Sequence, residues 1–443
     1  MIDHELTHRR AWIAVILCMI AYIFSFIDRQ IMALLIGPIQ ADLGISDTQF
    51  GLLHGFAFSI FYATMGIPIA ALSDRKSRPV IIAVGVAFWS LATAACGFAR
   101  AFLQLFLARV CVGAGEAALS PATYSLISDL FPKEKLGRAV AVYSLGSFMG
   151  TGIAFLLGGW VIGAVSAGGP QYWLGLRLAA WQMTFIIVGA PGLLLALVML
   201  ATIRDPRVQQ AGRAEQGAGA SDAKAVPSVV EVMQFLARNR AIFLPHMAGY
   251  TLAAMTLFSL LSWSPAYLMR VFALTPGESG LRLGWVAIFA AGGGVLASGA
   301  IMDRLTRSGS KDAPFRTGII GALGAVPPIA LLPWAASVDQ ATLLLAIAFF
   351  FASFPMPPST AVMQIVAPPA MRSRVSALFL GVNSLIGMGL SSALVGMAND
   401  RWFGGPQGTG HSLALVAAGA ALLAVPVLSR GLAPFRRYVE NRL

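Results

Sequence analysis

Four charged side chains stand deep inside apolar runs of this sequence. Asp28 and Arg29 lie in Phe24-Ser-Phe-Ile-Asp28-Arg29-Gln-Ile-Met-Ala-Leu-Leu35, and Arg109 and Glu116 in Leu107-Ala-Arg109-Val-Cys-Val-Gly113-Ala-Gly115-Glu116. Charge in hydrocarbon is costly, and ionisable groups placed there mark ion or substrate pathways. A carboxyl caught between desolvation, which favours its neutral form, and a neighbouring arginine, which favours its charged form, is poised to load and release a proton. Arginine stays protonated and grips phosphate or carboxylate through paired N–H donors. The expectation is that Asp28 and Glu116 carry proton coupling. Arg29 and Arg109 hold an anionic headgroup, with Arg29 exchanging between Asp28 and that headgroup. The competing reading is a permanent structural ion pair.

Helical spacing orders the four. Arg109 and Glu116 are seven residues apart, on one face about two turns from each other, and Gly113 and Ala117 on that face let another helix approach closely. At 1.5 Å per residue, Asp28 lies about 24 Å along its helix from one membrane surface and Arg109 about 13 Å from the other. That arithmetic places Asp28 and Arg29 against Arg109, with Glu116 deeper.

The elements that must position these residues are membrane helices. Of the 443 residues 57% are hydrophobic and 11% charged, against about 25% charged in soluble proteins. Mean hydropathy is +0.76. Twelve stretches are long enough to span a bilayer: 11–37, 49–73, 79–98, 100–130, 138–165, 181–203, 241–269, 281–302, 316–335, 341–366, 373–398 and 411–432. The early basic stretch leads straight into a long first span, so no cleaved signal peptide is expected.

The net charge of +12 does not call for nucleic acid. With the N-terminus cytoplasmic, 24 of the 31 Lys and Arg residues fall on the cytoplasmic side, 5 on the other, and Arg29 and Arg109 within spans. This is the positive-inside bias, and it puts both termini in the cytoplasm. Cys18, Cys96 and Cys111 all fall in apolar spans and read as packing residues, not as a metal or disulfide framework. No GxxxxGK[ST] loop is present, nor a nucleophile–base or metal-ligand constellation, so neither an enzyme nor a cofactor is expected.

The chain repeats itself. Leu43-Gly-Ile-Ser46-Asp-Thr-Gln49-Phe-Gly51-Leu matches Phe272-Ala-Leu-Thr275-Pro-Gly-Glu278-Ser-Gly280-Leu, 229 residues on, and Asp74-Arg75-x-x-Arg78 matches Asp303-Arg304-x-x-Arg307 at the same offset. Ser46/Gln49 and Thr275/Glu278 each read as a capping box opening a span. Pro121 and Pro132…Arg138-Ala-Val-Ala141 match Pro357 and Pro368…Arg374-Val-Ser-Ala377, 236 residues on. This divides the chain into a six-span half, 1–203, a polar linker, 204–240, with a short interfacial helix expected over Val229–Leu236, and a second six-span half, 241–443. Two parallel halves with a midplane site between them are a transporter plan. The repeat places Leu257 and Phe258 opposite Asp28 and Arg29, and Leu345 and Ala352 opposite Arg109 and Glu116. Holding the fold together does not require the charges. The second half offers instead Phe258, Trp263 and Tyr267, with Phe354 and Met356, as an apolar surface for an alkyl chain.

The stretch Ala70-Ala-Leu72-Ser-Asp74-Arg75-Lys-Ser77-Arg78, its copy Gly299-Ala-Ile-Met-Asp303-Arg304-Leu-Thr-Arg307, and Arg109-Val-Cys-Val-Gly113-Ala-Gly115 resemble signatures of the major facilitator superfamily; Ala70 and Ser77 replace usual glycines. Asp28-Arg29, Ile45-Ser-Asp47, Phe88-Trp-Ser-Leu, Glu116-Ala and Asp129-Leu-Phe are similar to its spinster branch, whose members are associated with proton-linked movement of lysolipids and sphingosine-1-phosphate. The resemblance implies an all-α fold of twelve spans in two pseudo-symmetric halves. It also implies a cytoplasmic gate in which Asp74 faces span 11 and Asp303 faces span 5; Arg75, Arg78, Asp129 and Arg304 are expected to belong to it, with Arg78 placed to pair with Asp129 at the end of span 4. The function it implies is proton-linked transport of an anionic amphiphile, a lysophospholipid or sphingoid phosphate, by a monomer in the cell membrane. The alternative is a proton-coupled carrier of a small organic anion or drug.

Overall fold

Hydrocarbon offers a peptide group no hydrogen-bond partner, so an apolar chain crossing it must satisfy its backbone within each segment, as an α-helix does. The computed structural model describes residues 2–73, 76–168, 171–173, 176–206, 229–368 and 371–441. Among them eleven helices are long and apolar enough to cross a membrane: span 1, Arg9–Leu34; span 3, Arg78–Cys96; span 4, Phe102–Leu130; span 5, Lys135–Ala167; span 6, Ala180–Thr202; span 7, Arg240–Phe272; span 8, Pro276–Arg307; span 9, Ala313–Trp334; span 10, Val338–Val366; span 11, Arg374–Phe403; span 12, Gly405–Glu440. Span 2 completes the twelve in three consecutive pieces, a helix Asp47–Gly51, a wide π turn Leu52–Phe56 and a helix Ala57–Ser73. A two-stranded antiparallel hairpin, Gln171–Trp173 with Leu176–Leu178, lies between spans 5 and 6.

Both expected capping boxes are present. Ser46 accepts from the Gln49 amide while the Gln49 side chain accepts from the Ser46 amide, and Thr275 and Glu278 do the same. The linker carries a helix, Val229–Arg238; residues 207–228 lie outside the described residues.

By packing, the chain forms two compact units. One contains Met1–Met32 and Ala57–Ala225, the other Ala33–Phe56 and Val226–Leu443. In the first, span 3 packs on span 6, where Gly189 lies against Ser90 and Ala94 and Gly192 against Ser90 and Val86. In the second, Phe243, Tyr250, Phe315, Phe379 and Phe435 form an aromatic core, and Val232 and Leu236 of the linker helix are buried in it.

Span 12 runs eight residues past its sequence boundary at 432, and side chains explain the extension. The buried Asp312 carboxylate accepts from Arg316 Nε at 2.7 Å and Arg436 Nη2 at 2.5 Å, and Tyr438 donates to the Val366 carbonyl at 2.9 Å. Burial opposes ionisation of Asp312, but the two guanidiniums outweigh it and hold its carboxyl below the usual range.

Candidate functional site

The four intramembrane charges meet inside the first unit. Ser25 and Arg29, one helical turn apart on span 1, both reach the Glu116 Oε2 atom. The hydroxyl donates at 2.5 Å, Arg29 Nε at 2.6 Å, and Arg29 Nη2 lies at 2.5 Å. Adjacent residues on a helix point about 100° apart, so Asp28 cannot share that partner. It turns to span 3, where Thr93 donates to Asp28 Oδ2 at 3.1 Å. Arg109 donates through Nη1 to the Asp28 main-chain carbonyl at 3.1 Å. Arg109 thus meets Asp28, its guanidinium on the Asp28 main-chain carbonyl, while Arg29 pairs with Glu116, a partner the helix arithmetic did not specify.

Close helix approach makes the cluster possible. A Cβ at Gly113 would collide with the Phe58 carbonyl, so span 4 lies directly on span 2 at this level. Phe58 then sits over both cations, 4.4 Å from Arg29 and 5.8 Å from Arg109, measured from ring centroid to guanidinium carbon. Phe26 at 5.0 Å and Tyr62 at 4.9 Å complete an aromatic box around Arg29. Such faces attract a cation without neutralising it. Asp28, Arg109 and Glu116 are sealed at 2% exposure or less, while the Arg29 side chain keeps 10%. Arg29 is thus the most exposed of the four.

A second charged centre closes one end of the same unit. Arg78 donates through its backbone amide and Nε to Asp205 Oδ2 at 2.9 and 3.1 Å, and through Nη2 to Asp205 Oδ1. Its Nη1 reaches the Ser125 carbonyl at 2.8 Å and Asp129 at 2.7 Å. Asp205 also places negative charge at the N-terminus of span 3. Sequence reasoning named Arg78 and Asp129 but missed Asp205, which stands just beyond span 6. Asp74 and Arg75 lie outside the described residues. Asp303 and Arg304 are exposed at the end of span 8.

The second-half aromatics divide. Trp263 is fully buried, with its indole N–H donating to the Ser392 carbonyl at 3.0 Å. Tyr267 is buried and donates to the Leu332 carbonyl at 2.6 Å, and Phe354 packs on Phe350, Phe351 and Gly321. In this structure these three pack within the second unit. Phe258 is half-buried and Met356 exposed.

A polar corner in the second unit was not anticipated. Both Asp47 carboxylate oxygens accept from Arg270 at 2.6 Å, and Gln40 bridges the pair, accepting from Arg270 at 2.8 Å and donating to Asp47 at 2.6 Å. Asp400 takes the free amides of Asp47 and Thr48 at 3.1 and 2.8 Å. Here Gly51 meets the Ser392 carbonyl and Gly396 meets the Asp47 carbonyl, each too closely for a Cβ. The sequence signal was Asp47 at the first turn of a capping box.

Twelve spans with a cluster of charges buried among them follow the plan of a membrane transporter. The chain belongs to the Major Facilitator Superfamily, whose profile matches residues 18–392; these proteins are carriers, not enzymes. A crystal structure of a bacterial homolog of the human lysosomal transporter spinster, inward-facing and unoccupied, superposes with a TM-score of 0.77 at 25% identity, covering 97% of each chain. The chain is therefore a spinster-like member of the superfamily and a multi-pass integral membrane protein. An MFS-type efflux pump of Mycolicibacterium smegmatis is 29% identical over 95% of this chain and 93% of its own. A probable L-galactonate transporter of Escherichia coli is 27% identical over 77% of this chain and 73% of its own.

Proposed function

We propose that the protein is a proton-linked secondary transporter of an anionic amphiphile, a lysophospholipid or sphingoid phosphate, working by alternating access. The carrying observation is Arg29, a guanidinium bound to Glu116, boxed by three aromatic rings and more exposed than the other three charges. A phosphate that competes with Glu116 for Arg29 gains a paired, charge-assisted contact. Protonation of Glu116 weakens the competitor, so proton and anion loading are linked. Asp28 is the second proton carrier, and Arg109 supports the headgroup site from behind. Phe258, Trp263, Tyr267, Phe354 and Met356 supply the apolar surface for the alkyl chain.

In this reading Asp74, Arg75, Arg78, Asp129, Asp303 and Arg304 form a cytoplasmic gate. The basic loops and both termini face the cytoplasm of the cell membrane, and the working unit is a monomer. The second reading, a carrier of a small organic anion or drug, draws on the efflux pump and the galactonate transporter among the relatives.

A thermal-shift screen separates the two. Ligand a hundredfold above its Kd stabilises the folded state by about 2.7 kcal/mol. Long-chain lysophosphatidates are expected to raise the melting temperature more than glycerol phosphate or short-chain analogues, and Arg29→Ala is expected to erase the difference. Equal shifts from sugar acids or headgroups alone favour the second reading.

A further inference from the structure

The proton-coupling cluster is half satisfied. Asp28 Oδ1, Glu116 Oε1, Arg109 Nε, Arg109 Nη2 and Trp89 Nε1 are all enclosed, and none meets a protein partner. An enclosed polar atom without a partner costs free energy comparable to a lost hydrogen bond, so five in one neighbourhood call for an explanation. They do share a neighbourhood. Arg109 bonds the Asp28 backbone and lies on the helix face of Glu116. Gly115 packs directly on the Trp89 backbone, and Thr93, one turn beyond Trp89, bonds the Asp28 carboxyl.

The chemistry of the orphans selects the occupant. The guanidinium and indole atoms only donate, and the two carboxyl oxygens accept. An anion satisfies the donors but has nothing to give the carboxyls. Water does both, and buried waters characteristically make two to four such bonds.

We propose that spans 1, 3 and 4 enclose an internal water site, with Arg109 as its hub and Trp89 as its wall, through which Asp28 and Glu116 exchange a proton. The inference rests on the proton-linked reading above and adds a direction to it. Protonated Asp28 gives its proton to the water, and the water gives another to the Glu116 carboxylate. Asp28 is left charged beside Arg109, Glu116 is left neutral, and no proton is gained or lost. Negative charge thereby moves from Arg29 to Arg109, and Arg29 is released to an anionic substrate without bulk water entering the site. The titratable and charged groups facing the relay are Cys96 on span 3, Arg109 and Glu116 on span 4, and Arg29 on span 1. Trp89 is a positioning residue, since it holds the water and exchanges no proton.

Infrared spectroscopy of the purified, substrate-free protein tests this. The Asp28 carboxyl band is assigned by its loss in Asp28→Asn across about pH 5–9. In Trp89→Phe and Arg109→Lys, each folded by its melting temperature, that band is expected to shift in frequency. Its exchange in heavy water is expected to slow by about tenfold or more. A band with unchanged frequency and exchange in both variants overturns the relay and leaves proton coupling standing. If Asp28→Asn removes no titrating band at all, Asp28 exchanges no proton, and both the relay and the coupling role of Asp28 fall.

Discussion

Replacing Arg29 with alanine is expected to abolish uptake of an anionic lysolipid and to destabilise the protein by about 3–5 kcal/mol, the cost of leaving a buried charge without its partner. Glu116 Oε2 takes two guanidinium donors and the Ser25 hydroxyl. Without Arg29 the hydroxyl alone remains for a carboxylate that is 1% exposed. The reverse change, Glu116→Gln, should be milder, because the Arg29 cation keeps its aromatic faces and the remaining amide oxygen as an acceptor. The double variant Arg29→Ala/Glu116→Gln removes both charges. It is expected to recover most of the stability and none of the transport. Thermal melts and proteoliposome uptake on the three variants separate the two roles. Uptake by the double variant at the wild-type rate would reduce the pair to a structural ion pair.

Arg78→Ala is the second large effect, about 3–5 kcal/mol for the same physical reason. Arg78 is fully buried and Asp205 nearly so, whereas the Asp129 side chain is 32% exposed. An exposed partner contributes about 0–1 kcal/mol, so Asp129→Asn should be nearly silent in a melt while Asp205→Asn is not. Arg78→Lys should rescue little, since an ammonium cannot reproduce the two-point grip on Asp205. Equal melting losses from Asp129→Asn and Asp205→Asn would contradict this ranking.

Much of the site was legible because a charge in an apolar run is visible to hydropathy alone. Asp28, Arg29, Arg109 and Glu116 announce themselves in that way. Their pairing did not, because which way a helix is turned depends on where Gly113 lets span 4 settle on span 2, and that contact joins residues 55 positions apart. The aromatics were less legible for a related reason. In a helix apolar on every side, spacing does not distinguish a phenylalanine of the core from one facing a ligand. Trp263, Tyr267 and Phe354 are buried, and Phe26, Phe58 and Tyr62, which the sequence did not single out together, surround a cation. Asp205 escaped notice because it looks like one more loop charge until Arg78, 127 residues earlier, folds onto it. The last turns of span 12 likewise depend on Asp312 and Arg436, 124 residues apart.

The central claim is that protons drive this carrier through Asp28 and Glu116. Proteoliposomes loaded with a pH dye and given a long-chain lysophosphatidate test it most directly. Wild-type protein should move protons together with the lipid, and its uptake should follow the imposed pH gradient. Asp28→Asn and Glu116→Gln should each lose that dependence. Wild-type pH dependence and proton flux in both variants would contradict the account.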